Sequence, residues 1–301
     1  MCGICGTLAL AGGAADDRTV RAMADALAHR GPDSEGVFVS GPVGLAARRL
    51  AIIDLARGDQ PMHSEDGAVT VVQNGELYEH RRLQEDLARR GHRFASHCDT
   101  EVLPHRYEER GLDFAAGLRG MFAIALWDAR ARRLVLARDP FGIKPLYYRV
   151  ASGVLSFASE LKALVRQPGF AGEVDLEALE AYLAFNSVPA PMSIYRDVRK
   201  LPAGHLLVAE DGRVQVRRFA RPATCGARAA GRSPTGTSDS RCARTESRSR
   251  ARSSCASARP PSRRTSPAAT GMGRAKRRTS TRPSAQRASS RCPAGSLRTP
   301  A

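Results

Sequence analysis

At 301 residues the chain has room for one large domain or two ordinary ones, and an apolar content of 42% is ordinary for a water-soluble protein. The formal net charge of +17 is unevenly placed: residues 1–220 hold 28 Lys and Arg against 28 Asp and Glu, while 221–301 hold 19 basic residues and 2 acidic ones. No apolar run is long enough to cross a bilayer and the N-terminus lacks the basic-then-apolar build of a signal peptide, so the protein is expected to stay in the cytoplasm.

The chain opens Met1-Cys2-Gly3-Ile4. Removal of the initiator methionine leaves a cysteine with its own α-amine. An amine titrating near ~8 can take the thiol proton close to neutral pH, so Cys2 is a candidate nucleophile with a built-in base. By position alone it would be an ordinary small side chain; the segments downstream decide. Residues 3–10 read as a buried strand. Asp16 and Asp17 then precede Val20, Met23, Ala24 and Leu27, the spacing of one helical face. Gly31 and Pro32 force a turn. Strands are expected at 37–39, 43–47 and 69–73, the last ending at Asn74-Gly75, a dipeptide that turns the backbone readily. Over 80–90 an amphipathic helix pairs Leu83 with Leu87, with Gly91 placed to cap it. Pro104 inside a helical stretch at 99–110 predicts a kink or a late start. Further strands are expected at 121–127, 133–137 and 154–158, and a last helix at 175–185 on Leu176, Leu179 and Leu183. From Val188 to Val208 a Pro- and Gly-punctuated connection leads into a strand. Many short strands with helices before and among them point to an α+β fold in which sheets pack face to face under helical layers. The first domain is expected to span 1–185, with 186–220 as a connecting extension.

After Phe219 there is no aromatic residue, no Val and no Ile, and Met272 and Leu297 are the only large aliphatic side chains. Such a segment cannot bury enough apolar surface to offset its ordering entropy, so 221–301 is expected to be a disordered basic tail. Clustered arginine would suit a nucleic-acid-binding arm, but no aromatic residue is present for base stacking and no binding module is recognisable. The Arg/Ser/Ala/Pro/Thr/Gly mixture fits a GC-rich coding sequence read out of frame better, and no nucleic-acid partner is expected. Cys225, Cys242, Cys255 and Cys292 are scattered in the tail without metal-ligand spacing, and free thiols in a reducing compartment are expected throughout.

Five segments stand together: Met1 to Gly6, His29 to Asp33, Arg49-Leu50-Ala51-Ile52-Ile53-Asp54, Asn74-Gly75-Glu76-Leu77-Tyr78 and Cys98-Asp99-Thr100-Glu101. In this order and at these separations they resemble the glutaminase domain of glutamine-hydrolysing asparagine synthetases, class II amidotransferases with the N-terminal-nucleophile hydrolase fold. The stretches Arg138 to Tyr148 and Ala158 to Leu164 are similar to the asparagine-synthetase branch rather than to the phosphoribosylamine or glucosamine-phosphate branches. The resemblance covers 1–220 and implies a four-layer αββα sandwich.

It also implies roles, which can be set against chemical need. Splitting a carboxamide requires a nucleophile, donors for the oxyanion, and groups holding glutamine by its α-amine and α-carboxylate. Cys2 matches the nucleophile, its amine the proton acceptor. The Asn74 side chain and the Gly75 N–H match the oxyanion donors. Arg49 matches the carboxylate partner, which a guanidinium fork suits. Asp99 and Glu76 match the groups that receive the α-ammonium, and backbone around Leu50, Ile52 and Ile53 completes the glutamine pocket. Taken singly, each has a bland use: Asn74-Gly75 as a hairpin turn, Arg49 and Asp99 as solvated charges, Glu76 as an exposed turn residue. Arg30 and Asp33 suit a loop-stabilising ion pair, His29 a loop role, and Cys5 and Cys98 packed, inert thiols.

Glu79 stands where the family usually has Asn, and Cys98 where it usually has Ser. The larger departure is downstream: the family's synthetase domain carries a Ser-Gly-Gly-x-Asp-Ser phosphate loop, and no such stretch exists here, so that domain is missing or frameshifted. The implied activity is therefore glutamine hydrolysis without metal or cofactor, with ATP and Mg2+ belonging to the synthetase half. Alternatives are an amidotransferase for another acceptor, such as a surface sugar, and a non-catalytic binding subunit in which Met1 stays in place. Glutamine is the expected small-molecule partner, and a homodimer is compatible with the sequence.

Overall fold

The computed structural model describes residues 2–221; Met1 and 222–301, and with them the cysteines of the basic tail and the disorder expected there, lie outside the described residues. In chain order the elements are β1 (Gly3–Ala9), α1 (Asp17–Asp25), β2 (Ser34–Ser40), β3 (Val43–Arg49), β4 (Met62–His63), β5 (Val69–Leu77), α2 (His80–Arg89), α3 (Val102–Arg110), β6 (Gly120–Asp128), β7 (Arg133–Arg138), β8 (Tyr147–Ala151), β9 (Val154–Ala158), α4 (Leu161–Leu164), α5 (Leu176–Phe185), β10 (Val198–Lys200), β11 (His205–Glu210) and β12 (Arg213–Arg218). The strands form two six-stranded sheets, ordered β10-β8-β9-β1-β3-β2 and β12-β11-β7-β6-β5-β4. The pairings that flank the site, β1 with β3 and β9 and β5 with β6, are antiparallel.

The period-two alternation of the strands builds the layers. On β1, Ile4 and Leu8 face Ala123, Ala125 and Trp127 of β6, and this inter-sheet core also takes Leu45, Val72, Leu136 and Phe157. The opposite face of β1 turns Cys5 toward Val20, Met23 and Leu27 on and after α1, with Ala163 and Leu164 of α4. The opposite face of β6 turns Phe122, Ile124 and Leu126 toward Leu103 and Tyr107 of α3 and Phe114. Helix, sheet, sheet, helix is the αββα order, and the mixed helix-and-sheet class expected from the sequence holds.

Local chemistry accounts for most boundaries. The Asp16 side chain accepts from the N–H groups of Arg18 and Thr19 and caps α1. Pro104 falls in the first turn of α3, where no intrahelical N–H bond is needed, so the helix starts late at Val102 behind a 3-10 turn over Asp99–Glu101.

Three features differ from expectation. Strand β5 does not stop at Asn74-Gly75; it runs through them to Leu77, with Asn74 opposite Ala123 and Gly75 opposite Phe122 of β6. The neighbouring strand overrides the turn preference of the dipeptide. The stretch 186–220, expected as a connecting extension, carries β10, which pairs with β8, β11, which pairs with β7, and β12, which pairs with β11, and it buries Val198, Leu201, Leu206 and Leu207. Helix α5 forms where its leucines predict it, yet Leu176 and Leu183 are 70% and 77% exposed and Ala178 is its buried residue.

Candidate active site

Cys2 sits at the mouth of β1, tied down by two loops. Its carbonyl accepts from Nε of Arg30 at 2.9 Å, and Nη1 of the same arginine pairs with Oε1 of Glu160 at 2.7 Å. Next along, the Ile4 N–H donates to Ser159 Oγ at 3.0 Å while its carbonyl accepts from Ser159 N–H at 2.9 Å. The expected Arg30–Asp33 pair is not made: Asp33 instead accepts from the Ala51 N–H at 2.8 Å. His29 and Lys162 also converge on Glu160, at 3.2 Å each. Burial opposes ionisation of Glu160, but the hydrogen bonds from Arg30, Lys162 and His29 outweigh it and pull the carboxyl down to about 2. The backbone of the nucleophile candidate is thereby anchored to a carboxylate that stays charged.

One cavity of about 350 Å³ is lined by Cys2, Arg49, Leu50, Ile52, Ile53, Asn74, Gly75, Glu76 and Asp99, so the structure gathers every residue singled out for glutamine chemistry around one space. The Cys2 thiol points at the Leu50 carbonyl, 3.8 Å away. Asn74 is fully buried; its Nδ2 lies 3.5 Å from Ser159 Oγ, and its Oδ1 makes no hydrogen bond. Gly75 is required by its neighbour, since a Cβ there would lie 2.0 Å from the Met121 carbonyl oxygen. Asp99 is buried, with Oδ2 accepting from the Leu77 N–H at 2.8 Å and from Gln73 Nε2 at 3.2 Å. Its Oδ1 meets the Cys98 thiol at 3.5 Å.

Arg49 is neither a solvated charge nor an open fork. It is 5% exposed. Nη2 donates to the carbonyls of Ile53 at 3.0 Å and Asp54 at 2.7 Å; Nη1 donates to Leu55 O at 3.4 Å and to Asp59 Oδ1 at 3.0 Å. The guanidinium curls the 50–59 loop around itself, and Gly58 permits it, because a Cβ there would come within 2.2 Å of Nη2. That loop presents Leu50, Ile52 and Ile53 to the cavity.

Among the three described cysteines only Cys2 reaches the surface; Cys5 and Cys98 are buried. Burial pushes the Cys98 thiol up to about 11, with the Asp99 charge adding to it, and burial likewise pushes Cys5 far up. Both are protonated at neutral pH, and Cys2 is the one thiol among the described residues that is not buried.

Sequence reasoning missed Gln60, Thr100, Met121, Ile143 and Lys144, which also line the cavity. Gln60 braces the floor: Oε1 accepts from the Gln73 N–H at 2.7 Å and Nε2 donates to Thr100 Oγ1 at 3.2 Å. The second rim is built by buried Asp139, which accepts from the N–H groups of Phe141, Ile143 and Lys144 at 3.0 Å each. The available signal was Asp139-Pro140-Phe141-Gly142, a carboxylate placed to nucleate a tight turn.

A profile of the family described as "Glutamine amidotransferase domain" matches residues 1–220. Asparagine synthetase [glutamine-hydrolyzing] 1 of Bacillus subtilis is 39% identical over 224 residues, covering 73% of this chain and 35% of that protein. Asparagine synthetase [glutamine-hydrolyzing] 3 of Arabidopsis thaliana is 42% identical over 166 residues, covering 54% of this chain and 28% of that protein. The chain thus spans about a third of the length of such curated relatives. Among solved structures, glutamine phosphoribosylpyrophosphate amidotransferase from B. subtilis superposes with a TM-score of 0.52 at 20% identity over 72% of this chain and 49% of that one, which shows the shared fold. The chain belongs to the glutamine amidotransferase domain family, in its class II form with the N-terminal-nucleophile hydrolase fold.

Proposed function

We propose that the domain hydrolyses glutamine to glutamate and ammonia through a thioester on Cys2, and that in a complete protein the ammonia is used, with aspartate and ATP, to make asparagine. The observation that carries the first part is the convergence of four of the motif segments, those holding Cys2, Arg49, Asn74 and Asp99, on one cavity whose accessible thiol among the described residues is Cys2. In the reaction the processed α-amine of Cys2 takes the thiol proton and sulfur attacks the carboxamide carbon. Asn74 Nδ2 and the Gly75 N–H stabilise the resulting oxyanion. Collapse expels ammonia with the proton held by the amine, leaving a γ-glutamyl thioester. Water, deprotonated by the same amine, then releases glutamate and restores the thiol.

Glutamine is held at its other end. The α-ammonium approaches Asp99 Oδ1, whose companion oxygen is already committed to Leu77 and Gln73. For the α-carboxylate, the Arg49 contacts suggest an exchange: three of its partners are loop carbonyls, but the fourth is Asp59, a side chain 67% exposed. A substrate carboxylate replaces that carboxylate ion pair for ion pair and leaves the loop clamp intact. In the complete protein, ATP and Mg2+ would serve the synthetase half, and the steps at this pocket call on the chain's own residues.

Intact mass of the purified protein combined with glutamate release tests the reading. Loss of Met1, turnover of glutamine, and labelling of Cys2 alone by the electrophilic analogue diazo-oxo-norleucine are expected, and Cys2→Ala abolishes turnover while the protein stays folded. Turnover that survives Cys2→Ala would refute the nucleophile.

A further inference from the structure

On the far side of the second sheet, away from the glutamine pocket, four ligating side chains meet. His105 and Glu108 lie one turn apart on α3, His92 follows α2, and Glu65 projects from the β4–β5 hairpin; one ligand atom from each falls within 4.8 Å of all the others. Nδ1 of His92 is 3.4 Å from Glu65 Oε1 and 3.8 Å from Glu108 Oε2. Nδ1 of His105 is 3.2 Å from Glu65 Oε2 and 3.9 Å from Glu108 Oε2. A tetrahedral ion with bonds of about 2.0–2.2 Å has ligand-to-ligand edges of about 3.3–3.6 Å, so the four ligand atoms, within 4.8 Å of one another, would close onto it by small side-chain rotations.

Two further features point to a ligand. His105 is 1% exposed, yet neither ring nitrogen makes a hydrogen bond, and the approach of Nδ1 to Glu65 lacks hydrogen-bond geometry. An unpartnered imidazole pinned edge-on under Phe94, with ring centroids 4.5 Å apart, is costly unless something occupies its lone pair. His92 Nε2 lies 3.3 Å from Glu109 Oε1. That contact orients the ring with Nε2 toward Glu109 and Nδ1 toward the cluster, the arrangement of the carboxylate–histidine support found behind metal-bound imidazoles.

We propose that Glu65, His92, His105 and Glu108 form a structural site for one divalent transition-metal ion, with Zn2+ the best match to two imidazoles and two carboxylates in a tetrahedron. The ion staples the β4–β5 hairpin and the turn after α2 to α3. Mg2+ and Ca2+ are disfavoured, because they seek oxygen shells of six or more ligands. The site uses no residue of the glutamine pocket, so it stands or falls separately from the glutaminase reading.

The test uses the full chain with its accessible cysteines alkylated, so that tail thiols cannot take the metal. Equilibration with Zn2+ followed by gel filtration and metal analysis is expected to give one zinc per chain. Saturating Zn2+, at about 100 times Kd, is expected to raise the thermal midpoint by about 5–10 °C. Glu65→Gln/Glu108→Gln, which keeps shape and removes charge, is expected to weaken binding by at least about 100-fold and erase the thermal shift. If that variant does not fold, by circular dichroism, His92→Gln serves in its place with the same readouts. Absence of stoichiometric zinc on the wild type, equal binding by the variants, or an equal thermal shift with Mg2+ overturns the proposal.

Discussion

Gly75 joins the fold and the proposed chemistry at one backbone position, so Gly75→Ala is a demanding perturbation. The added Cβ would lie 2.0 Å from the Met121 carbonyl oxygen and 2.7 Å from Phe122 Cα, at a φ of +153°. Both obstacles are backbone atoms of β6, and β6 is held on its other edge by β7 through Ala123 to Asp128, so it cannot swing aside. Reaching ordinary contact at 3.4 Å means opening the β5–β6 seam by about 1 Å or more. Ladder bonds near ~2.9 Å do not survive such a displacement. Losing two of them at about 0.5–1.5 kcal/mol each, with about 1–3 kcal/mol of overpacking strain, destabilises the domain by about 2–6 kcal/mol. Thermal unfolding followed by circular dichroism should therefore show a midpoint lowered by about 5–20 °C. Because the same shift carries the Gly75 N–H and Asn74 away from the oxyanion position, glutaminase kcat measured well below that midpoint should fall by about 10²–10³. A Gly75→Ala protein that melts within about 2 °C of the wild type and turns glutamine over normally would refute both the packing argument and the oxyanion assignment.

The Cys2 thiol should react with iodoacetamide at pH 7.5 while Cys98, pushed up to about 11 and buried, and Cys5 stay unmodified in the native protein; peptide mass mapping showing early modification of either buried thiol would contradict this. The linkage of Glu160 has a definite sign: its folded pKa of about 2 lies below the ordinary 4.5, so its stabilisation is present above about pH 4.5 and is lost as pH falls toward 2. Glu160→Gln should flatten that part of the acid-unfolding curve and, by releasing Arg30 from the Cys2 carbonyl, lower kcat more than it raises KM. Leu183→Gln on the exposed face of α5 should change stability by no more than about 0.5 kcal/mol, whereas Phe122→Ala in the core beneath α3 should cost about 3–5 kcal/mol in urea unfolding. Comparable losses for the two would mean that α5 is packed in solution.

What the sequence discloses about the fold is what local pattern controls. The apolar spacing of Val20, Met23, Ala24 and Leu27, the Asp16 cap and the alternation of 121–127 translate directly into α1 and β6. Pattern fails where the outcome depends on a remote neighbour. Asn74-Gly75 carries strong turn chemistry, but the β6 backbone extends it. Strand β8 escapes notice because Tyr147 to Ala151 is half-buried and alternates weakly, and its partners, β9 and β10, lie downstream of it. The leucines of α5 spell out a helical stripe correctly, yet periodicity states only that a face is apolar, not that anything covers it.

The candidate site divides along the same line. Residues that would act directly on substrate, Cys2, Asn74, Gly75 and Asp99, are legible because their chemistry needs particular side chains in a particular order, and the cavity brings them together. Residues that shape the cavity are not legible, since their work is done on backbone groups far away in sequence: Asp139 through three N–H groups of its own turn, Gln60 through Gln73 and Thr100. Arg49 belongs to both classes. Its charge invites a carboxylate, but its four close partners show that its first task is to fold the 50–59 loop, and only the Asp59 contact can be exchanged without undoing that loop. A lysine at this position would keep the charge yet lose the fork that reaches Ile53, Asp54 and Leu55 together, so guanidinium geometry rather than charge is what the pocket depends on.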